Sequence, residues 1–149
     1  MNVVCETATH IYTGHANFKI EPKSISNLLQ PITGTYEYTG APQKPTAVVM
    51  DGTKTLVEGT DYTVSYGTNV HVYEAATVYV EGKGNYAGEA EVTYEIMKRQ
   101  VTLESASASK VYDGTPLTKP EATVGGDGFV EGEVSGLKAI GTVTNVADG

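Results

Sequence analysis

The chain reads as all-β, built from tandem immunoglobulin-like β-sandwich modules. Three observations predict this: a hydrophobic period of two, turn chemistry at short intervals, and an internal repeat of about 74 residues. The clearest period lies in Glu89-Ala90-Glu91-Val92-Thr93-Tyr94-Glu95-Ile96, which sets Ala90, Val92, Tyr94 and Ile96 on one face and the acidic residues and Thr93 on the other. A half-buried strand requires that alternation, whereas a helix would scatter these side chains around its circumference. Tyr62, Val64 and Tyr66 repeat the pattern, as do Ala76, Val78 and Val80. Between the runs lie Asp51-Gly52, Glu58-Gly59-Thr60-Asp61, Gly67-Thr68-Asn69 and Gly82-Lys83-Gly84-Asn85, residues that accept positive φ or bond their own backbone. Ten tyrosines without a tryptophan, among abundant Val, Thr and Gly, favour short strands over a helical bundle. Strands at such spacing, with no amphipathic helix between them, imply antiparallel sheets packed face to face.

The repeat organises the chain. Tyr38-Thr39-Gly40-Ala41-Pro42-Gln43-Lys44-Pro45 returns as Tyr112-Asp113-Gly114-Thr115-Pro116-Leu117-Thr118-Lys119-Pro120, with Tyr38 and Tyr112 offset by 74. Leu56-Val57-Glu58-Gly59 returns as Phe129-Val130-Glu131-Gly132 at an offset of 73. Phe18-Lys19-Ile20-Glu21-Pro22-Lys23-Ser24-Ile25 matches Tyr94-Glu95-Ile96-Met97-Lys98-Arg99-Gln100-Val101 at 76, preceded by Tyr12-Thr13-Gly14 and Tyr86-Ala87-Gly88 at 74. Three landmarks in one order divide the chain into the end of a preceding repeat at 1–25, a complete module at 26–100 and the beginning of a following repeat at 101–149. The two incomplete pieces together make one repeat length. The N-terminal piece of one molecule is therefore expected to be able to supply strands to the C-terminal piece of another, a strand-complementing self-association through unpaired edges.

These motifs carry a resemblance. The Tyr-Asp-Gly and Tyr-Thr-Gly openings with their following Pro, the Glu58-to-Tyr66 run Glu-Gly-Thr-Asp-Tyr-Thr-Val-Ser-Tyr, and Gly82-Lys83-Gly84-Asn85-Tyr86 resemble the YDG and MBG repeat modules of large bacterial surface proteins, which are grouped with bacterial Ig-like repeats. Residues 26–100 are similar to the MBG type and 101–149 to the YDG type. The resemblance implies a cell-wall-associated or secreted chain with an adhesive or structural role and no catalytic residues. Thr39 stands where Tyr112-Asp113-Gly114 has Asp, which argues against a required Asp ligand at that position. Some relatives are β-grasp-like, with a helix across the sheet; that is the alternative architecture, although no helical period marks such a helix here.

The remaining chemistry is sparse. A net charge of -8 spread along the chain, with no Lys/Arg stripe, argues against nucleic acid and anionic membrane surfaces. No run approaches the roughly 20 apolar residues of a membrane span, and Met1 to Glu6 is too short an apolar region for a signal peptide; if the parent is secreted, its leader and any anchor are expected outside this sequence. The single cysteine, Cys5, has no internal disulfide partner and reads as a free thiol. His10, His15 and His71 lack metal-ligand spacing, so neither metal nor cofactor is expected. Gly82-Lys83-Gly84 with Gly88 reads as a hairpin turn rather than a phosphate loop, because no helix follows. Asp113 and Asp127 fit no EF-hand and read as solvated surface. Lys44, Lys54 and Lys83 have no marked Asn partner for an isopeptide link.

The tyrosines offer the one binding hypothesis. Tyr36, Tyr38, Tyr62, Tyr66 and Tyr94 fit core or rim positions, whereas Tyr79 points away from the face of Val78 and Val80. Tyr79, Tyr73 and Tyr86 are the candidate ligand-binding residues. The expected function is thus a non-catalytic structural spacer or adhesin segment, extracellular or on the cell surface. Its almost linker-free passage from Ile96 through Met97-Lys98-Arg99-Gln100 into Val101 suits a stiff stalk. The alternative is a carbohydrate- or mucin-binding module whose exposed tyrosines meet host glycans, mucin or a matrix protein.

Overall fold

The computed structural model describes residues 2–148, apart from the side chains of residues 2, 3, 6, 12 and 148. Met1 and Gly149, the outermost residues of the two expected end pieces, lie outside the described residues. The described chain is all-β without an α-helix. Its strands are β1 (Asn2–Glu6), β2 (Ile11–His15), β3 (Lys23–Ser24), β4 (Tyr36–Glu37), β5 (Met50–Asp51) and β6 (Lys54–Thr55). They continue with β7 (Tyr62–Tyr66), β8 (Ala76–Gly82), β9 (Tyr86–Ala87), β10 (Glu89–Tyr94), β11 (Ile96–Met97), β12 (Val101–Ser105) and β13 (Ala122–Gly126). β8 lies between β10 and β7 in a three-stranded sheet. β1/β2, β5/β6 and β12/β13 are antiparallel pairs.

Two pairings depart from the antiparallel expectation. β3 runs parallel to β9, and β4 parallel to β11. Parallel neighbours cannot be joined by a tight turn, and each of these pairs joins segments 60 or more residues apart in the chain. The first pairing continues through Lys23 N–H to Asn85 O and Ile25 N–H to Ala87 O, both 2.9 Å, which carries Ile25 to a fully buried position. The second continues through Tyr38 N–H to Met97 O at 2.9 Å.

The chain divides into two compact units. The first comprises Met1–Pro31, Thr46–Ser65 and Val78–Val92; the second comprises Ile32–Pro45, Tyr66–Thr77 and Thr93–Gly149. In the first unit the core consists of Ile25, Val49, Val78 and Val80, fully buried, with Leu56, Tyr62, Tyr86 and Ala90. The alternation anticipated in β7, β8 and β10 is what delivers Tyr62, Val78, Val80 and Ala90 there. In the second unit Tyr94 and Ile96 are buried, and the Tyr94 ring lies 4.8 Å from that of Tyr36 at an interplanar angle of 59°. Among the described residues beyond Gln100, none is fully buried.

Segment 43–47 belongs to no ladder. Pro45 has no N–H to give one. Its carbonyls are instead held by tyrosine hydroxyls: Tyr94 donates to Gln43 O at 2.9 Å, Tyr66 to Pro45 O at 2.9 Å, and Tyr62 to Ala47 O at 3.3 Å. Tyr62 and Tyr66 stand four residues apart on β7 and Tyr94 ends β10, on the other side of β8, so the two outer strands of the sheet supply the donors for 43, 45 and 47. Buried carbonyls need such partners.

Candidate functional site

In the first unit, the period of two that buries one face of β7, β8 and β10 exposes the other. Thr63 and Ser65 project from β7, Tyr79 and Glu81 from β8, and Glu89 and Glu91 from β10, around an open cleft of about 480 Å³. Tyr79 is 43% exposed, as its position opposite Val78 and Val80 anticipated. A half-exposed ring flanked by two hydroxyls and three carboxylates offers an apolar surface with hydrogen-bond acceptors at its edge. The three negative charges disfavour anionic ligands.

Tyr86 requires a correction. Its ring is 7% exposed, and its hydroxyl donates to Asp51 Oδ2 at 3.1 Å, so it presents no face to a ligand. Asp51 also accepts a 2.5 Å bond from Lys23 Nζ, and Lys54 Nζ stands 5.5 Å from the Tyr86 ring centroid. The Lys23 hydrogen bond, with help from the Tyr86 hydroxyl, holds the Asp51 carboxyl below its ordinary pKa, and the same bond raises Lys23. These partners lie 28 and 35 residues from Asp51 in the sequence.

Tyr73 belongs to the second unit, where it is 76% exposed and stacks on His71 with ring centroids 5.0 Å apart. Both edge a cleft of about 290 Å³ shared with Tyr38, Lys98, Arg99, Phe129, Val130 and Glu133. The three tyrosines singled out from the sequence therefore occupy three different settings: an open sheet face, a core, and the rim of this cleft.

Arg99 was not anticipated. Its guanidinium donates Nε–H to Gly128 O at 2.9 Å, Nη1 to Tyr38 O at 3.4 Å, and Nη2 to Asp127 O. Beside it, Gln100 N–H donates to Asp127 Oδ2 at 2.6 Å, and Asp127 N–H returns to Gln100 O at 2.7 Å. The rigid guanidinium fork suits several fixed acceptors at once. The Tyr38 hydroxyl donates to Glu133, and this bond pushes its pKa up, with burial adding to it. The available signal was that Arg99 aligns with Lys23 in the sequence, and each reaches an Asp-Gly pair, Asp127-Gly128 and Asp51-Gly52.

The other candidates are engaged locally. His10 contacts Thr9 Oγ1 at 2.8 Å. Lys83 Nζ donates to Gly59 O at 2.8 Å, Lys54 lies 3.7 Å from Asp61 Oδ2, and Lys44 Nζ sits 6.0 Å from the Tyr66 ring centroid. Asp113 Oδ1 accepts from Lys110 Nζ at 2.8 Å and from Thr115 N–H at 2.9 Å, closing a turn. Gly82-Lys83-Gly84 lies in the bend between β8 and β9, with Gly82 N–H bonded to Gly88 O at 2.8 Å. Cys5 is an exposed free thiol on β1. Among the described residues no three His, Cys, Asp or Glu side chains are grouped as a metal site.

Compared with protein-family models, curated proteins and solved structures, the chain matches none.

Proposed function

We propose that the chain is a non-catalytic structural segment, a spacer or adhesin stalk, of a repetitive bacterial surface or secreted protein built from tandem immunoglobulin-like modules of the YDG and MBG type. The observation that carries this reading is the Arg99 junction. Residues Met97–Gln100 join the complete module to the following piece, and Arg99 with Asp127 ties that short stretch to the Gly128 and Tyr38 carbonyls. A stalk needs short, fixed joints between units, because a flexible linker lets the modules reorient freely.

The tandem reading draws further support from the backbone. Gly40 and Gly114 have φ of 76° and 75°, and Gly59 and Gly132 have 82° and 85°. These pairs sit at the offsets of 74 and 73 found in the sequence. The carbonyls of Val57 and Val130, two residues before the latter glycines, each accept an N–H three residues on at 3.2 Å. Like conformations at like intervals are what related modules in tandem would produce.

Trypsin tests the joint. Lys98 and Arg99 offer cleavage sites, and Lys19, 79% exposed on a stretch without strands, offers an internal reference. Cutting after Lys98 and Arg99 should lag well behind cutting after Lys19, because cleavage needs local opening. Equal rates would remove the basis for a fixed joint.

The second reading, a carbohydrate- or mucin-binding module, rests on the Tyr79 cleft, where a ring, two hydroxyls and three carboxylates suit the apolar face and hydroxyl edge of a neutral sugar. Saturable binding to immobilised glycans that Tyr79→Ala weakens tenfold or more would support it. Binding unaffected by that substitution would move the site elsewhere.

A further inference from the structure

In the second unit a Tyr-x-Gly turn meets a Val-x-Gly loop. A Cβ built on Gly40 would lie 2.9 Å from Val130 Cγ1, so glycine is what lets the loop approach, and the Tyr38 hydroxyl reaches Glu133 beyond it. The turn belongs to module 26–100 and the loop to the following piece. On the tandem-module reading this contact joins consecutive repeats, through two of the three landmarks that define the repeat in the sequence.

Each landmark also occurs a second time. Tyr112-Asp113-Gly114 repeats the turn with the same φ at its glycine, yet nothing lies within 4 Å of a Cβ built on Gly114. Tyr112 is 61% and Val111 89% exposed. Val57-Glu58-Gly59 repeats the loop, with the same carbonyl-to-amide bond and glycine φ, and Val57 is 57% exposed where Val130 is half-buried. Among the described residues one copy of each landmark is matched, and in the other copies the Val57 and Tyr112 side chains are exposed, although Gly59 O is already held by Lys83 Nζ.

We infer that Val57–Gly59 and Tyr112–Gly114 are complementary docking surfaces for another module of the same repeat: the loop accepts a Tyr-x-Gly turn, and the turn accepts a Val-x-Gly loop. A second copy of this chain supplies both. The proposal rests on the tandem-module reading and assigns the joint of the array to these residues. Thr60 stands where the matched loop has Glu133, so the tyrosine hydroxyl meets a neutral hydroxyl instead of a carboxylate. Neutral hydrogen bonds are roughly half as strong as charge-assisted ones, and the free contact is accordingly weak. It is also heterologous, since different surfaces meet, and such contacts propagate without closing unless rotation makes a ring.

The test follows backbone amide chemical shifts of the full chain from micromolar to millimolar concentration. The amides of 57–60 and 112–115 should shift together and saturate. Val57→Asp and Tyr112→Ala, both at exposed positions, should each weaken self-association at least tenfold. An equimolar mixture of the two variants should restore a one-to-one complex, because each retains the surface the other lacks. Invariant shifts would overturn the proposal, as would shifts confined to the 1–25 and 101–149 strands or to the Tyr79 cleft, or association that survives both substitutions. The trypsin experiment is read within a single chain, so failure here leaves the fixed junction standing, and equal cleavage rates there would remove the reading on which this surface depends.

Discussion

The Tyr66 hydroxyl donates to the Pro45 carbonyl at 2.9 Å, across 21 residues of sequence. In the following piece Ala139 stands at the position of Tyr66, and its backbone N–H donates to the carbonyl of Pro120, the counterpart of Pro45, at 3.0 Å. The Pro45 carbonyl is thus held by a side chain and the Pro120 carbonyl, which aligns with it in the sequence, by the main chain. Each proline-containing segment takes its donor from outside itself.

Tyr66→Phe should therefore destabilise the chain by about 1 kcal/mol, because the ring remains and a part-buried carbonyl loses its donor. Tyr79→Phe removes a hydroxyl from an exposed face and should change stability by less than about 0.5 kcal/mol. Urea unfolding at unchanged slope measures both. Equal effects would contradict the role given to the hydroxyl.

Asn69 is buried at φ 47°, with its amide bonded to both Thr77 N–H and Thr77 O, at 2.8 and 2.9 Å. Asn69→Ala loses these bonds and leaves in the left-handed region a residue that tolerates it less well than asparagine, for a loss of about 3 kcal/mol in all. Asn69→Gly keeps the backbone unstrained and should lose about 1 kcal/mol less. Thermal or urea unfolding of the pair separates the two contributions, and identical losses would show that the backbone carries no strain.

Gly82 and Gly52 differ in what surrounds them. A Cβ on Gly82 would sit 2.7 Å from Ala87 N, a backbone atom that β9 fixes in place, whereas one on Gly52 meets nothing within 4 Å and only the φ of 60° opposes it. Gly82→Ala should lose about 2 kcal/mol or more by overpacking, and Gly52→Ala about 1 kcal/mol. The order of their unfolding midpoints is the readout.

Below about pH 4, where unfolded aspartates begin to take up protons, the exposed turns should loosen. The Lys110 ammonium, then the Thr115 amide and hydroxyl, hold the Asp113 carboxyl well below the usual carboxylate range. A carboxylate depressed in the folded state contributes stability that is present above its unfolded pKa and is lost as pH falls towards its folded value. Carboxyl carbon titration should place Asp113 below an ordinary aspartate, and Lys110→Met should raise it. No change on that substitution would contradict the assigned cause.

The long alternating strands were legible because burial on one face writes itself into the sequence: Ala90, Tyr94 and Ile96 are buried and Glu89, Glu91 and Glu95 exposed, as the period of two requires. The pairings β3/β9 and β4/β11 were not, since strands of two residues carry no period and their partners lie far away in sequence. Tyr86 was misassigned for the same reason: nothing near it announces Asp51 as its partner. Tyr79 could be placed because its neighbours Val78 and Val80 fix the opposite face. Arg99 hid in a short polar stretch, and its role depends on carbonyls, which no sequence pattern displays.

The most direct measurement is backbone amide relaxation in the full chain, before and after Arg99→Ala. With the joint intact, Val101–Ser105 and Ala122–Gly126 should share one correlation time with Tyr36–Glu37 and Ile96–Met97, and Arg99→Ala should shorten it for the two later strands alone. Independent tumbling of those strands in the unaltered chain would contradict a fixed joint, and with it the spacer.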